Sequence, residues 1–404
     1  MPSAVARVIR DTGASQISRD LKALYGHRVL LRVGFGIATV FTVALIYQYF
    51  NNSFLAVALV YGVMHIGVFF LTPFSSMYIR RWGIKSMILM AIPAVMLGTV
   101  GLYQFAAGGE RAVYGLAAFV FLMAVYKTLY WVPYQVDFSL LLDRQRRGSQ
   151  IALLRNLADV IIVAMPFVGG LIVASFGFET LFLVSLLFLS LAIIPIFFIQ
   201  TAYEHYSWSY GRTFAELVSP RNRTLVLAYI GDGIQAMSLT AIWPLLVFIV
   251  LEEEYITLGL ITALTLFAIL LLRLVTGNLF DRWNKSKLII IGAVLASSGW
   301  ALKVLVATPF QIFLADTYHG MGRTVNKTSF DAMTYEQAAD NGRYIDEYTT
   351  LKEMALSIGR VAILVFTSIV VAYLGLRVGF VVALVLSAMA TLTTMLLKER
   401  VQLG

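Results

Sequence analysis

Asp316, His319, Arg323 and Lys327 follow one another at intervals of three or four residues. In a helix that spacing places an acid, an imidazole, a guanidinium and an ammonium on one face. Such a set can bind an anion, supply counter-charges or pass a proton. Lys127, Asp159, Asp232 and Arg360 stand inside long apolar stretches. An ionisable group deep in apolar surroundings costs a few kcal/mol or more, so each needs a partner or a task. Lys127, Arg323 and Arg360 favour a carboxylate, phosphate or sulfonate. Tyr126, Tyr130, Trp131 and Tyr134 lie in the same segment as Lys127 and add ring surface for stacking or cation–π contact. Two plainer readings stand beside these. The cations could be neutralised as structural pairs by Asp159, Asp232 or Asp316, and the rings could serve packing or interfacial anchoring.

These residues need a scaffold that buries them. Hydrophobic residues make up 59% of the 404 and charged residues 13%, against about 45–50% apolar in soluble domains. Twelve apolar runs approach or exceed the roughly 20 helical residues that cross a hydrocarbon core. They cover 29–50, 54–79, 86–106, 112–142, 150–175, 178–200, 224–250, 257–279, 287–307, 310–335, 347–373 and 376–397. The runs are apolar on most faces rather than alternating, so they read as helices and not as barrel strands. Lys127 then falls in the fourth, Asp159 in the fifth and Asp232 in the seventh. The 316–327 stripe lies in the tenth run and Arg360 in the eleventh.

A formal net charge of +9 would suit nucleic acid, but its placement points elsewhere. Arg80, Arg81 and Lys85 follow the second run, Arg144, Arg146 and Arg147 the fourth, and Arg212, Arg221 and Arg223 the sixth. Arg282, Lys285 and Lys287 follow the eighth. The alternate connections hold Asn51-Asn52, Glu110-Arg111, Glu179 and Glu252 to Glu254. Basic residues thus collect on one side, which makes that side and both termini cytoplasmic. Residues 1–28 read as a cytoplasmic tail rather than a leader peptide.

Several chemistries lack their residues. There is no cysteine, so disulfides, thiol nucleophiles and thiolate metal ligands are excluded. Four scattered histidines, without HExxH or GxSxG, offer neither a metal site nor a nucleophile. No glycine-rich phosphate loop or filter-like loop is present, and nothing calls for a cofactor. An intramembrane enzyme or a channel is therefore the weaker expectation.

The stretch from Gly277 to Lys287, GNLFDRWNKSK, interrupts the oil between the eighth and ninth runs. A shift of 201 positions toward the N-terminus gives SMYIRRWGIKS from Ser76, with the Arg-Trp pair at the same spacing; the offset also lays Tyr134 on Tyr335. Two halves are expected, 29–200 and 224–397, joined by 201–223 and flanked by tails 1–28 and 398–404. Internal repeats of membrane helices are a signature of alternating-access transporters.

On these residues the chain resembles the major facilitator superfamily. Gly277, Asp281, Arg282, Lys285 and Lys287 match that family's loop motif G-x-x-x-D-R-x-G-R/K-R/K, and Arg81, Gly83 and Lys85 match it in the first half. There Ser76 stands for the glycine and Arg80 for the acid. Pro166-Phe167-Val168-Gly169-Gly170 is similar to the tail of the family's antiporter signature. The resemblance implies an all-α integral membrane protein with twelve transmembrane helices in two pseudo-symmetric six-helix halves. It also implies an inter-half latch, which repeat symmetry writes here as Asp281 with Arg155 and Arg80 with Glu353.

The resemblance and the buried charges together lead to the expectation of a monomeric, proton-coupled secondary transporter in a prokaryotic cytoplasmic membrane. Its partners would be a small organic solute, anionic or amphiphilic, together with protons and the bilayer, and not nucleic acid. Lys127, Tyr130, Trp131, His319, Arg323 and Arg360 would line the substrate cavity. Asp232, Asp159 and Asp316 are the candidate proton carriers, because the first run holds no acid and Asp137 lies close to the surface. A lipid, amphiphile or drug exporter of the same fold remains open. So does a glycoside–cation symporter, which Val132-Pro133-Tyr134, Asp143, Arg147 and Leu154-Arg155 resemble, although the second run offers only His65 where those proteins carry acids.

Overall fold

The computed structural model describes residues 19–141, 158–200, 203, 206–280, 285–340 and 345–397. Among them, nine helices are long and apolar enough to cross a membrane. Two of the nine are double. Phe54–Ala107 is divided at Gly83 (φ 74°), giving α2 (54–82) and α3 (84–107). The second, Ala158–Ile196, is divided at Gly177 (φ 81°), giving α5 (158–176) and α6 (178–196). Both glycines take a left-handed conformation that a side chain would resist, so the chain reverses without a loop. The others are α1 (Arg19–Tyr49), α4 (Ala112–Leu141), α7 (Arg223–Val250), α8 (Tyr255–Phe280) and α9 (Lys285–Lys303). Pro309–Asp340, carrying the polar stripe, is α10; α11 is Ile345–Leu374, and α12 is Leu376–Leu392 with a closing turn to Leu396. Among the described residues, the eleven helices within those nine stretches and the more polar α10 stand at the twelve expected runs.

The repeat is visible in the backbone. Asn51 and Asn52 between α1 and α2 are left-handed (φ 52° and 61°), as are Glu252 and Glu253 between α7 and α8 (φ 54° and 66°), again 201 positions apart. In both turns the second residue donates its amide to the carbonyl five residues earlier, Asn52 to Tyr47 and Glu253 to Phe248, each at 2.9 Å. Asparagine adopts this conformation readily and glutamate does not. The second turn is held in addition by its side chain, since Gln48 on α1 donates to Glu253 at 2.7 Å.

The two sets of six spans meet along α2 with α11 and α5 with α8. The signature-like glycines explain the second seam. Gly169 rests on the Ile37 carbonyl of α1, and a methyl added at Gly170 would lie 2.5 Å from the Tyr255 carbonyl of α8. The pair lets α5 approach both neighbours at backbone distance.

One boundary differs from expectation. The first helix begins at Arg19, not near residue 29, because Leu21, Leu24 and His27 carry its buried face inward and His27 Nδ1 bonds the Ala192 carbonyl of α6 at 2.6 Å. Between α6 and α7 a short amphipathic helix, Tyr210–Val218, lies across α2 with Tyr210 against Phe74. Ser207 in the same connection donates to Glu347 at the start of α11.

Candidate functional site

Three acids were expected near the membrane centre, and each is held by a cation other than Lys127 or Arg360. Asp159 on α5 lies 2.9 Å from Arg32 of α1 and also pairs with Arg273 of α8. Asp232 on α7 is 2.6 Å from Lys327 of α10, which also reaches Asp331 at 3.1 Å. Asp316 on α10 is 2.6 Å from Lys303, the last residue of α9. Lys303 is fully buried between Trp243 (4.2 Å) and Trp300 (4.7 Å), and His319 packs on the latter ring at 4.4 Å. Arg323 faces Lys303 and His319.

Lys127 and Arg360 are left together. Lys127 lies halfway along α4 and Arg360 halfway along α11, both half-buried and within electrostatic reach of one another and of His65 on α2. Among the described residues no carboxylate comes within ion-pair distance of either. His65 is buried and its Nδ1 has no hydrogen-bond partner. Glu353 acts on Lys127 from beyond ion-pair distance, and two cations at this depth with a single such carboxylate can hold an anion. Desolvation sharpens their demand for one.

Beside Lys127 on α4, Tyr126, Tyr130 and Tyr134 stack with centroids 5.2 and 5.3 Å apart. Arg28 of α1 lies over Trp131 at 4.6 Å and Tyr134 at 5.3 Å. Tyr130 is fully buried and Trp131 half-buried, so the two differ in what could reach them.

The structure brings Lys127, Arg360, Tyr130 and Trp131 to one region around α4. His319 and Arg323 join Lys303 and Asp316 among α7, α9 and α10. The latch residues divide similarly. Asp281, Arg282 and Arg155 lie outside the described residues; Gly277 lies near the end of α8. Arg80 and Arg81 are exposed at the foot of α2, and Arg80 forms no ion pair with Glu353. Instead Glu353 is buried and accepts from Gln135 of α4 at 2.8 Å. Helix geometry explains this. Glu353 shares a face with Arg360, seven residues on, and that face points at α4, whereas the outward end of α2 carries Arg80 away. Ser76, one turn before Arg80, makes the contact with α11, its hydroxyl 2.6 Å from that of Thr350. Lys85 donates to the Phe197 carbonyl at the end of α6, as a cation at a helix C-terminus should.

Arg28, Lys303 and Arg273 escaped the sequence reading. Each is a lone charge within or beside an apolar run, the signal that singled out Lys127. Arg28 was hidden by the late boundary of the first helix.

Both ends of the central region are bridged between the sets of six. On the face with the basic turns stand Ser76–Thr350, Gln135–Glu353 and Asp159–Arg273. On the opposite face Gln48 binds Glu253 and accepts from the Tyr255 hydroxyl, and Phe54 packs edge-on to Phe380 at 5.5 Å.

The Major Facilitator Superfamily model matches residues 225–402, covering α7 to α12. That match covers the second set of six spans. Solved structures that resemble it span the whole fold. The human organic anion transporter MFSD10 (TETRAN) aligns with TM-score 0.69 at 13% identity, covering 93% of this chain and 99% of that one. The nucleoside transporter NupG aligns with TM-score 0.66 at 12% identity, covering 94% and 100%. A POT family transporter in complex with 5-aminolevulinic acid gives 0.65 at 14%, covering 93% and 95%. Comparison with curated protein sequences returns no match. At these identities the structures share the fold. The family match over 225–402 and the nine helices long and apolar enough to cross a membrane among the described residues make the chain a multi-pass membrane protein.

Proposed function

We propose that this chain is a secondary transporter of the major facilitator superfamily that moves a small organic anion, coupled to protons, with Lys127 and Arg360 holding the negative group. One observation carries the reading: Asp159, Asp232 and Asp316 are all engaged by other cations, which leaves Lys127 and Arg360 with no carboxylate at ion-pair distance among the described residues and only Glu353 within electrostatic reach of Lys127. Supporting it is the likeness of fold to an organic anion transporter. An amphiphilic anion is favoured over a compact one by the tyrosine stack and Arg28 beside the same helix. Both termini on the cytoplasmic side of a prokaryotic membrane belong to the same reading, supported by the basic turns Arg80, Arg81 and Lys85. The single thiol of a Ser86→Cys variant should then react with an impermeant maleimide in inverted vesicles only; reaction in right-side-out vesicles would reverse the orientation.

The test is a thermal-shift screen of the purified protein with benzoate, succinate, glucose 6-phosphate and naphthalenesulfonate, against glucose and uridine as neutral comparators. The anion giving the largest shift is then followed into proteoliposomes. A charge-assisted hydrogen bond contributes about 1.5–3 kcal/mol, so Lys127→Ala or Arg360→Ala should weaken binding by roughly ten- to a hundredfold. Preference for the neutral comparators, or unchanged anion affinity in both variants, overturns the assignment.

A further inference from the structure

The proton carrier was expected among Asp159, Asp232 and Asp316, and all three sit in ion pairs. Each of these acids already has its counter-charge in the fold. Glu353 is placed differently. It is 6% exposed, lies about two helical turns from Arg360 on the same face of α11, and forms no ion pair among the described residues. Its bond is to a neutral carboxamide. Gln135 Nε2 donates to Glu353 Oε1 at 2.8 Å while Gln135 Oε1 faces Lys352 Nζ at 3.5 Å. Lys352 fixes which end of the carboxamide meets Glu353, and leaves the second carboxyl oxygen free to carry a proton.

The titratable and charged groups around Glu353 come from four helices. On α4 the nearest cation is Lys127, within electrostatic reach. On α11 its neighbours are Lys352 and, two turns on, Arg360. On α10, Asp331 is balanced by Lys327 and Lys352. His65 on α2 faces Lys127 and Arg360 from the far side. Glu353 is therefore the carboxylate that acts on Lys127, and it shares a face of α11 with Arg360.

We propose that Glu353 is the proton-carrying group of this transporter, and that it makes the cycle a symport of one proton with one anion. This rests on the anion reading given above. In the empty site the ionised Glu353 serves as the counter-charge of Lys127. An arriving anion and this carboxylate then claim the same cations. Taking a proton from the medium turns Glu353 into a neutral acid, and the anion replaces it opposite Lys127 and Arg360. Release on the other side runs in reverse: the anion leaves, the proton follows it, and Glu353 returns to Lys127. One proton and one negative charge cross together, so transport of a monovalent anion is electroneutral.

The experiment uses the full chain and the panel anion with the largest thermal shift. In the wild type, affinity should weaken roughly tenfold per pH unit once Glu353 ionises in the empty site. Binding in unbuffered detergent solution should then take up one proton per anion. Glu353→Gln keeps a carboxamide at the position and should bind the anion with no proton uptake and a flat pH profile. In proteoliposomes it should still exchange anion for anion while losing accumulation driven by a pH gradient, and Glu353→Asp should restore part of that accumulation. Proton uptake or gradient-driven accumulation persisting in Glu353→Gln overturns the proposal. So does loss of anion binding in a folded Glu353→Gln protein, or pH-independent affinity in the wild type. Failure of the underlying reading looks different: no panel anion binds, or Lys127→Ala and Arg360→Ala leave affinity unchanged.

Discussion

Replacing Asp159 by asparagine should loosen the seam between α5 and α8 on the face of the basic turns. Asp159 is a shared acid. One oxygen takes Arg32 from α1, within the first six spans, and the other takes Arg273 from α8, in the last six. Only the second arm joins the two sets. Removing one partner of a fully buried ion pair costs about 3–5 kcal/mol. Here the side chains of Arg32, Arg273 and Asp159 are 34%, 23% and 14% exposed, so solvent screening lowers the expected loss to about 2 kcal/mol. If that loss falls on the closed arrangement, the ratio of open to closed rises about thirtyfold.

The chain contains no cysteine, so one introduced thiol is the only one present. Ser76 is fully buried against Thr350 across the α2–α11 contact, and a cysteine there is reached only when the two sets part. Its alkylation rate with N-ethylmaleimide follows the open population when opening is fast relative to reaction. In a Ser76→Cys background, Asp159→Asn should raise the rate by roughly ten- to thirtyfold. Arg273→Gln should match it, because it cuts the arm between sets. Arg32→Gln should raise it far less, since the Asp159–Arg273 arm survives. Equal effects from Arg32→Gln and Arg273→Gln, or none from Asp159→Asn, would refute the assignment of this acid to closure.

Two further perturbations concern burial. Lys303→Met leaves Asp316 without its cation beside two tryptophans and should cost about 2–4 kcal/mol, read as a lower melting temperature in detergent; adding Asp316→Leu should recover most of it, and a double variant as unstable as the single would shift the burden to the tryptophan cage. Gly170→Ala puts a methyl 2.5 Å from the Tyr255 carbonyl and should cost about 1–3 kcal/mol by forcing α5 from α8, whereas Gly62→Ala, with open space around it, should melt within error of the wild type.

The fold was legible because the bilayer constrains sequence so heavily. Run length, charge placement and the 201-residue offset are each traces that repeated membrane crossing leaves in a sequence, and each is visible in a single chain. Gly83 and Gly177 could be read as turns because little else tolerates that backbone. Pairing was far less legible. A charge inside an apolar run announces that it needs a partner without saying which, since partners lie on helices whose rotation the run does not encode. Asp159 could have met Lys127; it meets Arg32 and Arg273 because Gly169 and Gly170 draw α5 onto α1 and α8. The Arg80–Glu353 expectation failed for the same reason. Repeat symmetry gave the right depth for Glu353 and the wrong azimuth, and a rotation toward α4 exchanged Arg80 for Gln135.

That exchange changes what the charges can do. Had Glu353 closed on Arg80 at the edge of the bundle, the centre would hold two cations and no titratable acid. Had Asp159 or Asp232 met Lys127, the centre would be neutral and indifferent to anions. The arrangement found commits three acids to outer or inter-helix pairs and leaves Lys127, Arg360 and Glu353 as a set with one positive charge in excess. Such a set can be balanced in two ways: by an anion with Glu353 protonated, leaving one residual positive charge, or by Glu353 ionised with the same residual charge and no anion. The two states carry equal charge, so exchanging one for the other requires no net movement of charge within the bilayer. That equality is what would make the proposed coupling of a proton to an anion electrostatically cheap, and it depends on Glu353 being the acid that acts on Lys127 among the described residues.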